Sequence, residues 1–211
     1  MSLQKIKGSY DAVFSLGHLC LPAMQMKKFN LRPFSGVFDW VGSPQLSKVN
    51  QLIQTRFTDF LNMNNLRPDK YLSPTDLYVY DFKYDIGFNH DFKTDKNTLT
   101  HLGGYPEVKE KYDRRINRFL EKLSSSKRIL FIRTEKSEAN FQDVQQLEKI
   151  LMNMVAHDFQ ILLIHHKDIQ KMTVVKSPFA KVTIVELPNK EIWNENDPYW
   201  AKILHRVRLM K

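Results

Sequence analysis

The sequence predicts an α/β protein, a mostly parallel sheet covered by helices on both faces. Three observations carry that prediction. Apolar runs recur at 12–16, 128–133, 159–164 and 182–185, as expected of strands buried on both faces. Between them, residues 106–123 and 140–156 repeat apolar side chains at helical spacing. Helix and buried strand also alternate from residue 106 onward, the order a Rossmann-like three-layer arrangement requires.

Taken in order, residues 12–16 form a short strand that ends at Gly17. Leu19, Ala23, Met26 and Lys27 follow at helical spacing, and Pro22 falls in the first turn, where its missing N–H costs nothing. Cys20 therefore sits at or just before a helix N-terminus. Ser43 as N-cap and Pro44 as first residue open a second helix, whose apolar face, Leu46 through Phe60, carries it to about residue 61. LNMNNLRPDKYLSPTD is turn-rich. Residues 77–82 and 85–88 read as a hairpin with His90 and Asp91 at its exit, and LTHLGGYP reads as a loop. A polar loop, NKEIWNENDP, precedes a last helix expected over 198–210. The whole, 1–211, is expected to be one domain with an inserted helical and hairpin segment at about 44–105.

Composition narrows the function classes. An apolar content of 42% with 14 Phe supplies a core, so the chain is not disordered. No run approaches the ~18–20 apolar residues that span a bilayer, and the N-terminus lacks an apolar signal segment, so no membrane partner is expected. A single cysteine excludes an internal disulfide and suits a reducing, cytoplasmic compartment. The net charge of +9 is spread among interleaved acids, which argues against a specific nucleic-acid partner. Walker, GxGxxG and GxSxG motifs are absent, and one cysteine leaves too few partners for an ordinary zinc site. No metal and no cofactor are expected.

In open parallel sheets, ligands gather beyond the carboxyl ends of the strands. That rule selects Gly17, His18 and Cys20, then Arg133 with Thr134 and Glu135, then His165 with His166, then Glu186. A thiol at a helix N-terminus ionises more easily, so Cys20 is expected to titrate below an ordinary thiol. A histidine would serve as its base, and Arg133 suits a carboxylate or phosphate. The strand-edge rule favours His165 or His166 as that base.

The motif SLGxxC ending at Cys20, with Ala23, Leu31, Arg32 and the FDW of Phe38, Asp39 and Trp40, resembles an uncharacterised bacterial family labelled papain-like cysteine peptidase. GFNHDF at 87–92 and RILFIRT at 128–134 look like its later motifs, so the likeness runs from Tyr10 to about Lys167. The resemblance implies a nucleophilic Cys20 with His90 as base, Asp91 or Asp39 orienting the imidazole, and Trp40 sheltering the site. Adjacent His90 and Asp91 point apart if extended, which favours Asp39. The chain departs from papain in its alternating α/β pattern and in lacking a Cys-Gly-x-Cys-Trp signature. The expected activity is a cysteine-dependent hydrolase or transferase acting on a small-molecule, peptide or glycan-linked substrate. Two rivals remain: a non-catalytic module gripping an anionic sugar or nucleotide through Arg133, and a glycosyltransferase-like half-fold.

Overall fold

A computed structural model describes residues 3–210. A 3₁₀ turn at Leu3–Ile6 leads into β1 (Gly8–Tyr10), β2 (Ala12–Ser15) and α1 (Leu21–Lys28). The middle of the chain comprises β3 (Val41–Gly42), α2 (Leu46–Gln54), β4 (Leu66–Ser73), β5 (Asp76–Asp81) and β6 (Ile86–Lys93). Then come α3 (Tyr105–Ser125), β7 (Arg128–Glu135), α4 (Phe141–Met154), β8 (Asp158–Lys167), β9 (Thr173–Val175) and β10 (Val182–Pro188). The chain closes with α5 (Asp197–Leu204) and β11 (Val207–Leu209).

The four apolar runs form one sheet, in the order β2-β7-β8-β10 with β9 as an edge. All four are parallel, and only β9 runs antiparallel, against β10. Alternate side chains then need two covers. On one face Phe14, Phe131 and Ile161 pack with Tyr112 and Phe119 of α3 and Leu147 and Leu151 of α4. On the other, Val13, Leu130, Ile132 and Leu162 pack with Leu21 and Met26 of α1 and Trp200 and Ile203 of α5. The order β2-β7-β8-β10 advances in one direction, so crossovers of a single hand place α3 and α4 on the same face. The order has no reversal point of the kind that opens a crevice in a doubly wound sheet.

The chain between α1 and α3 supplies a second, antiparallel sheet, β3-β6-β5-β4. Its core is continuous with the main one through a run of aromatic contacts. Phe88 meets Tyr112 at 5.5 Å, Tyr112 meets Phe60 at 5.8 Å, and Phe57 links Phe60 to Phe119, which packs on Phe14 at 4.8 Å. Each such pair contributes about 0.5–1.5 kcal/mol beyond its buried area. This run fixes the position of the second sheet relative to β2, and so of His90 relative to Cys20.

Four expectations are corrected. The second helix ends at Gln54, not 61, because Arg56, Phe57, Asp59 and Leu61 all take positive φ. Phe57, Phe60 and Leu61 remain buried on those turns, which preserves the helical spacing of apolar residues without the helix. The turn-rich stretch holds a strand, β4, with Pro68 tolerated on a sheet edge. The last helix stops at Leu204. Arg206 at φ 62° turns the chain, and Val207–Leu209 pair in parallel with Gly8–Tyr10. Lastly, His90 and Asp91 lie within β6 rather than at the exit of a hairpin.

Candidate active site

Cys20 follows the loop that leaves β2. Gly17 there takes φ +82°, and a Cβ added to it would lie 2.0 Å from Ser43 Oγ, so only glycine fits. The His18 N–H donates to the Thr134 carbonyl at 3.0 Å, and the His18 carbonyl accepts from the Ser43 N–H at 2.9 Å. The loop is thereby pinned between β7 and the chain just beyond β3. Cys20 then occupies the N-cap of α1, with Leu21 and Pro22 starting the helix.

His90 arrives from the second sheet. Val79 of β5 pairs with Phe88 of β6, and Leu77 with Phe92, so four steps along β6 match two along β5. The irregularity falls on Asn89, His90 and Asp91. Phe88 and Phe92 are both buried, whereas His90 is exposed. A bulge of this kind re-aims a side chain that regular pleating would have placed with its neighbours at i ± 2. The His90 Nε2 lies 3.9 Å from the Cys20 Sγ, a pairing across 70 residues of sequence.

Trp40 stands edge-on to His90, ring centroids 6.3 Å apart at 88°, and the Arg32 guanidinium lies 5.2 Å from the Trp40 ring centre. Arg32 Nε donates to Asp39 Oδ2 at 2.6 Å, and the Gly36 N–H donates to the same oxygen at 2.7 Å. Asp39 is buried, and its Oδ1 has no hydrogen-bond partner. Arg32 belongs to the same motif, seven positions before Asp39, but the motif alone assigns it no chemistry.

The two carboxylates expected to orient His90 are engaged elsewhere. Asp91 accepts from Lys111 Nζ at 2.6 Å and from the Tyr112 hydroxyl at 2.9 Å, both on α3. Among the described residues, no hydrogen bond joins Asp39 or Asp91 to His90. Both act on the thiol by charge instead. Burial pushes the Cys20 thiol up, its own backbone N–H works the other way, and Asp39 and Asp91 push it up further. The expected lowering by the helix terminus is therefore outweighed, and the net shift of the thiol is upward.

The other expected residues lie inside the protein. Arg133, expected to clamp an anion, is 0% exposed. It donates to Glu135 Oε1 at 2.6 Å, to the Leu16 carbonyl at 2.6 Å and to the Ser43 carbonyl at 2.9 Å. These bonds brace the Cys20 loop and leave the guanidinium closed to a ligand, which corrects that expectation. Gly17 and His18 are likewise buried anchors of the loop. His165 Nε2 accepts from the Ala139 N–H at 3.3 Å. His166 Nδ1 bonds the Glu135 carbonyl at 3.1 Å. The imidazole that meets Cys20 is His90. No cluster of metal-binding side chains occurs among the described residues, and no described helix is long and apolar enough to cross a membrane.

Fold and site thus define an α/β protein with a thiol–imidazole pair held between its parallel sheet and an antiparallel one. The chain belongs to the family described as "Putative papain-like cysteine peptidase", whose profile matches residues 11–169. It is also similar to an uncharacterized protein of Acanthamoeba polyphaga mimivirus, at 29% identity over 93% of this chain and 98% of the viral one. That relative is viral rather than bacterial. No solved structure matches.

Proposed function

We propose that this protein is a cysteine-dependent hydrolase in which Cys20 attacks and His90 is the base. The observation that carries this reading is the 3.9 Å approach of Sγ to Nε2 between two separate sheets. It is loose for a hydrogen bond, as unliganded catalytic pairs often are. Burial and two carboxylates disfavour the thiolate, so the proton is drawn off by His90 as the sulfur attacks. Nε2 takes the sulfur's proton as sulfur bonds to an acyl carbon, and the imidazolium returns it to the leaving group. Water then cleaves the thioester, with His90 again acting as base. The start of α1, where the first N–H groups have no intrahelical partner, suits the oxyanion that develops. Trp40, with Arg32 beside it, would wall one side of the substrate, which we take to be a small molecule, peptide or glycan conjugate met in a reducing, cytoplasmic setting.

The test combines turnover and alkylation. A panel of small fluorogenic amides and esters should be turned over by the wild type and by neither Cys20→Ser nor His90→Ala. Iodoacetamide should label wild-type Cys20 with a midpoint above that of an exposed thiol, about 8.5. Asp91→Asn, which removes a nearby negative charge, should lower that midpoint. His90→Ala should slow labelling at pH 7 several-fold. If His90→Ala labels and turns over at the wild-type rate, the pairing has no chemical role and the reading fails.

A further inference from the structure

A second site lies on the same carboxyl edge of the sheet. The cavity holds about 380 Å³ and is lined by Lys136, His166, Lys190, Ile192 and Trp193, with Asn189 and Glu191 beside them. Lys136 directly follows β7, His166 is the penultimate residue of β8, and 189–193 follow β10. The carboxyl ends of three neighbouring parallel strands thus border it. Its volume lies within the roughly 300–1,000 Å³ typical of small-molecule sites.

The lining is chemically uneven. Among the described residues neither Lys136 nor Lys190 has an ion pair or hydrogen bond. Lys167, close by, is held by Glu138 and Glu186. Glu191 accepts from the backbone N–H groups of Trp193, Asn194 and Glu195 at 2.7–2.9 Å, bonds that hold its carboxylate in the loop without cancelling its charge. Two ammonium groups without ion-pair partners therefore line the cavity, beside one carboxylate, that of Glu191. Trp193 is 37% exposed on its rim. His166 is 3% exposed, and because its Nδ1 must donate to the Glu135 carbonyl, the neutral ring keeps a lone pair on Nε2. Burial favours that neutral form. Nε2 is buried without any partner.

We propose that this cavity binds a nucleoside monophosphate, with the phosphate between Lys136 and Lys190 and the base on Trp193. Two lysines suit a phosphate as point charges, and an exposed indole suits a planar ring. Cys20 is not among the residues lining the cavity, and the proposal does not depend on the hydrolase reading.

Adenosine and uridine 5′-monophosphates, titrated calorimetrically and by tryptophan fluorescence, test it. Saturable binding with Kd below about 1 mM is expected, weakened about tenfold or more by Lys136→Ala with Lys190→Ala, a loss of at least about 1.4 kcal/mol. Trp193→Ala should weaken it comparably, and Cys20→Ser should leave it unchanged. Inorganic phosphate, adenosine and ribose 5-phosphate should each bind about tenfold more weakly than the whole nucleotide. The lysines and Trp193 are exposed, so the variants should keep the wild-type urea midpoint. Absence of saturable binding at several millimolar, unchanged affinity in the lysine double variant, or equal affinity for ribose 5-phosphate would each overturn the assignment.

Discussion

Replacing Arg133 by Met separates a brace from a ligand clamp. The side chain is fully buried and makes three short hydrogen bonds, to Glu135, Leu16 and Ser43. Met fills most of the volume but leaves the Glu135 carboxylate, itself 8% exposed, without its cation. Removing one partner of a buried ion pair costs about 3–5 kcal/mol. Against a total stability of about 5–15 kcal/mol that is a large share. At roughly 2–4 °C per kcal/mol for a chain of this size, the thermal midpoint should fall by about 6–20 °C. Urea unfolding followed by tryptophan fluorescence reads the same loss as a shift in midpoint.

A pH signature accompanies it. Burial already raises the Glu135 pKa, and Arg133 opposes that rise. Without Arg133 the folded-state pKa climbs further above its unfolded value. Its contribution is then present at low pH and lost as pH rises through the folded value, so the deficit of Arg133→Met should shrink as pH is lowered. Adding Glu135→Leu should recover part of the loss, with the double variant costing at least about 1 kcal/mol less than the sum of the singles. A deficit below about 1 kcal/mol that is flat in pH would refute the brace and return Arg133 to the role of an anion clamp.

Two further outcomes follow from the same interior. Gly17→Ala places a methyl group against Ser43 Oγ at positive φ, so it should cost more than about 1 kcal/mol in thermal or urea unfolding, and an unchanged midpoint would contradict the packing of the loop. Burial lowers the pKa values of His18, His165 and His166. The unfolded chain therefore takes up more protons below about pH 6.5, and stability present above that value should be lost as pH falls toward the lowered folded values. Urea midpoints at pH 7.5 and 5.5 measure the loss, and a midpoint that holds or rises on acidification would show that these imidazoles are not held neutral by the fold.

The main sheet could be read from the sequence because its strands are buried on both faces and leave uninterrupted apolar runs. The residue that faces Cys20 could not be found by that logic. The strand-edge rule led to His165 and His166, and His90 came only from the family resemblance. Its orientation depends on a strand irregularity at 89–91, which depends in turn on the register of β5 against β6, a long-range property that no local pattern encodes. Arg133 illustrates the opposite error. A charged residue at the end of an apolar strand invites a ligand reading, yet its partners are Glu135 and two backbone carbonyls, and sequence carries no mark of where carbonyls will be left unpaired. At Val207 and Leu209 the alternation that marks a strand was present, but a helical reading of the residues before it absorbed them.

The pairing of β2 with β7 has a consequence in time. Ala12 lies beside Ile129, 117 positions later, and Gly8 lies beside Val207, 199 positions later. A ribosome adding about 5–20 residues per second needs about 6–23 s between making the strand before Cys20 and making its neighbour. Throughout that interval the thiol lacks the sheet behind it that later buries it and pushes its pKa up. A nascent chain arrested before residue 128 should therefore expose Cys20 as an ordinary thiol, and its fading reactivity during synthesis would record the moment the two halves of the protein close.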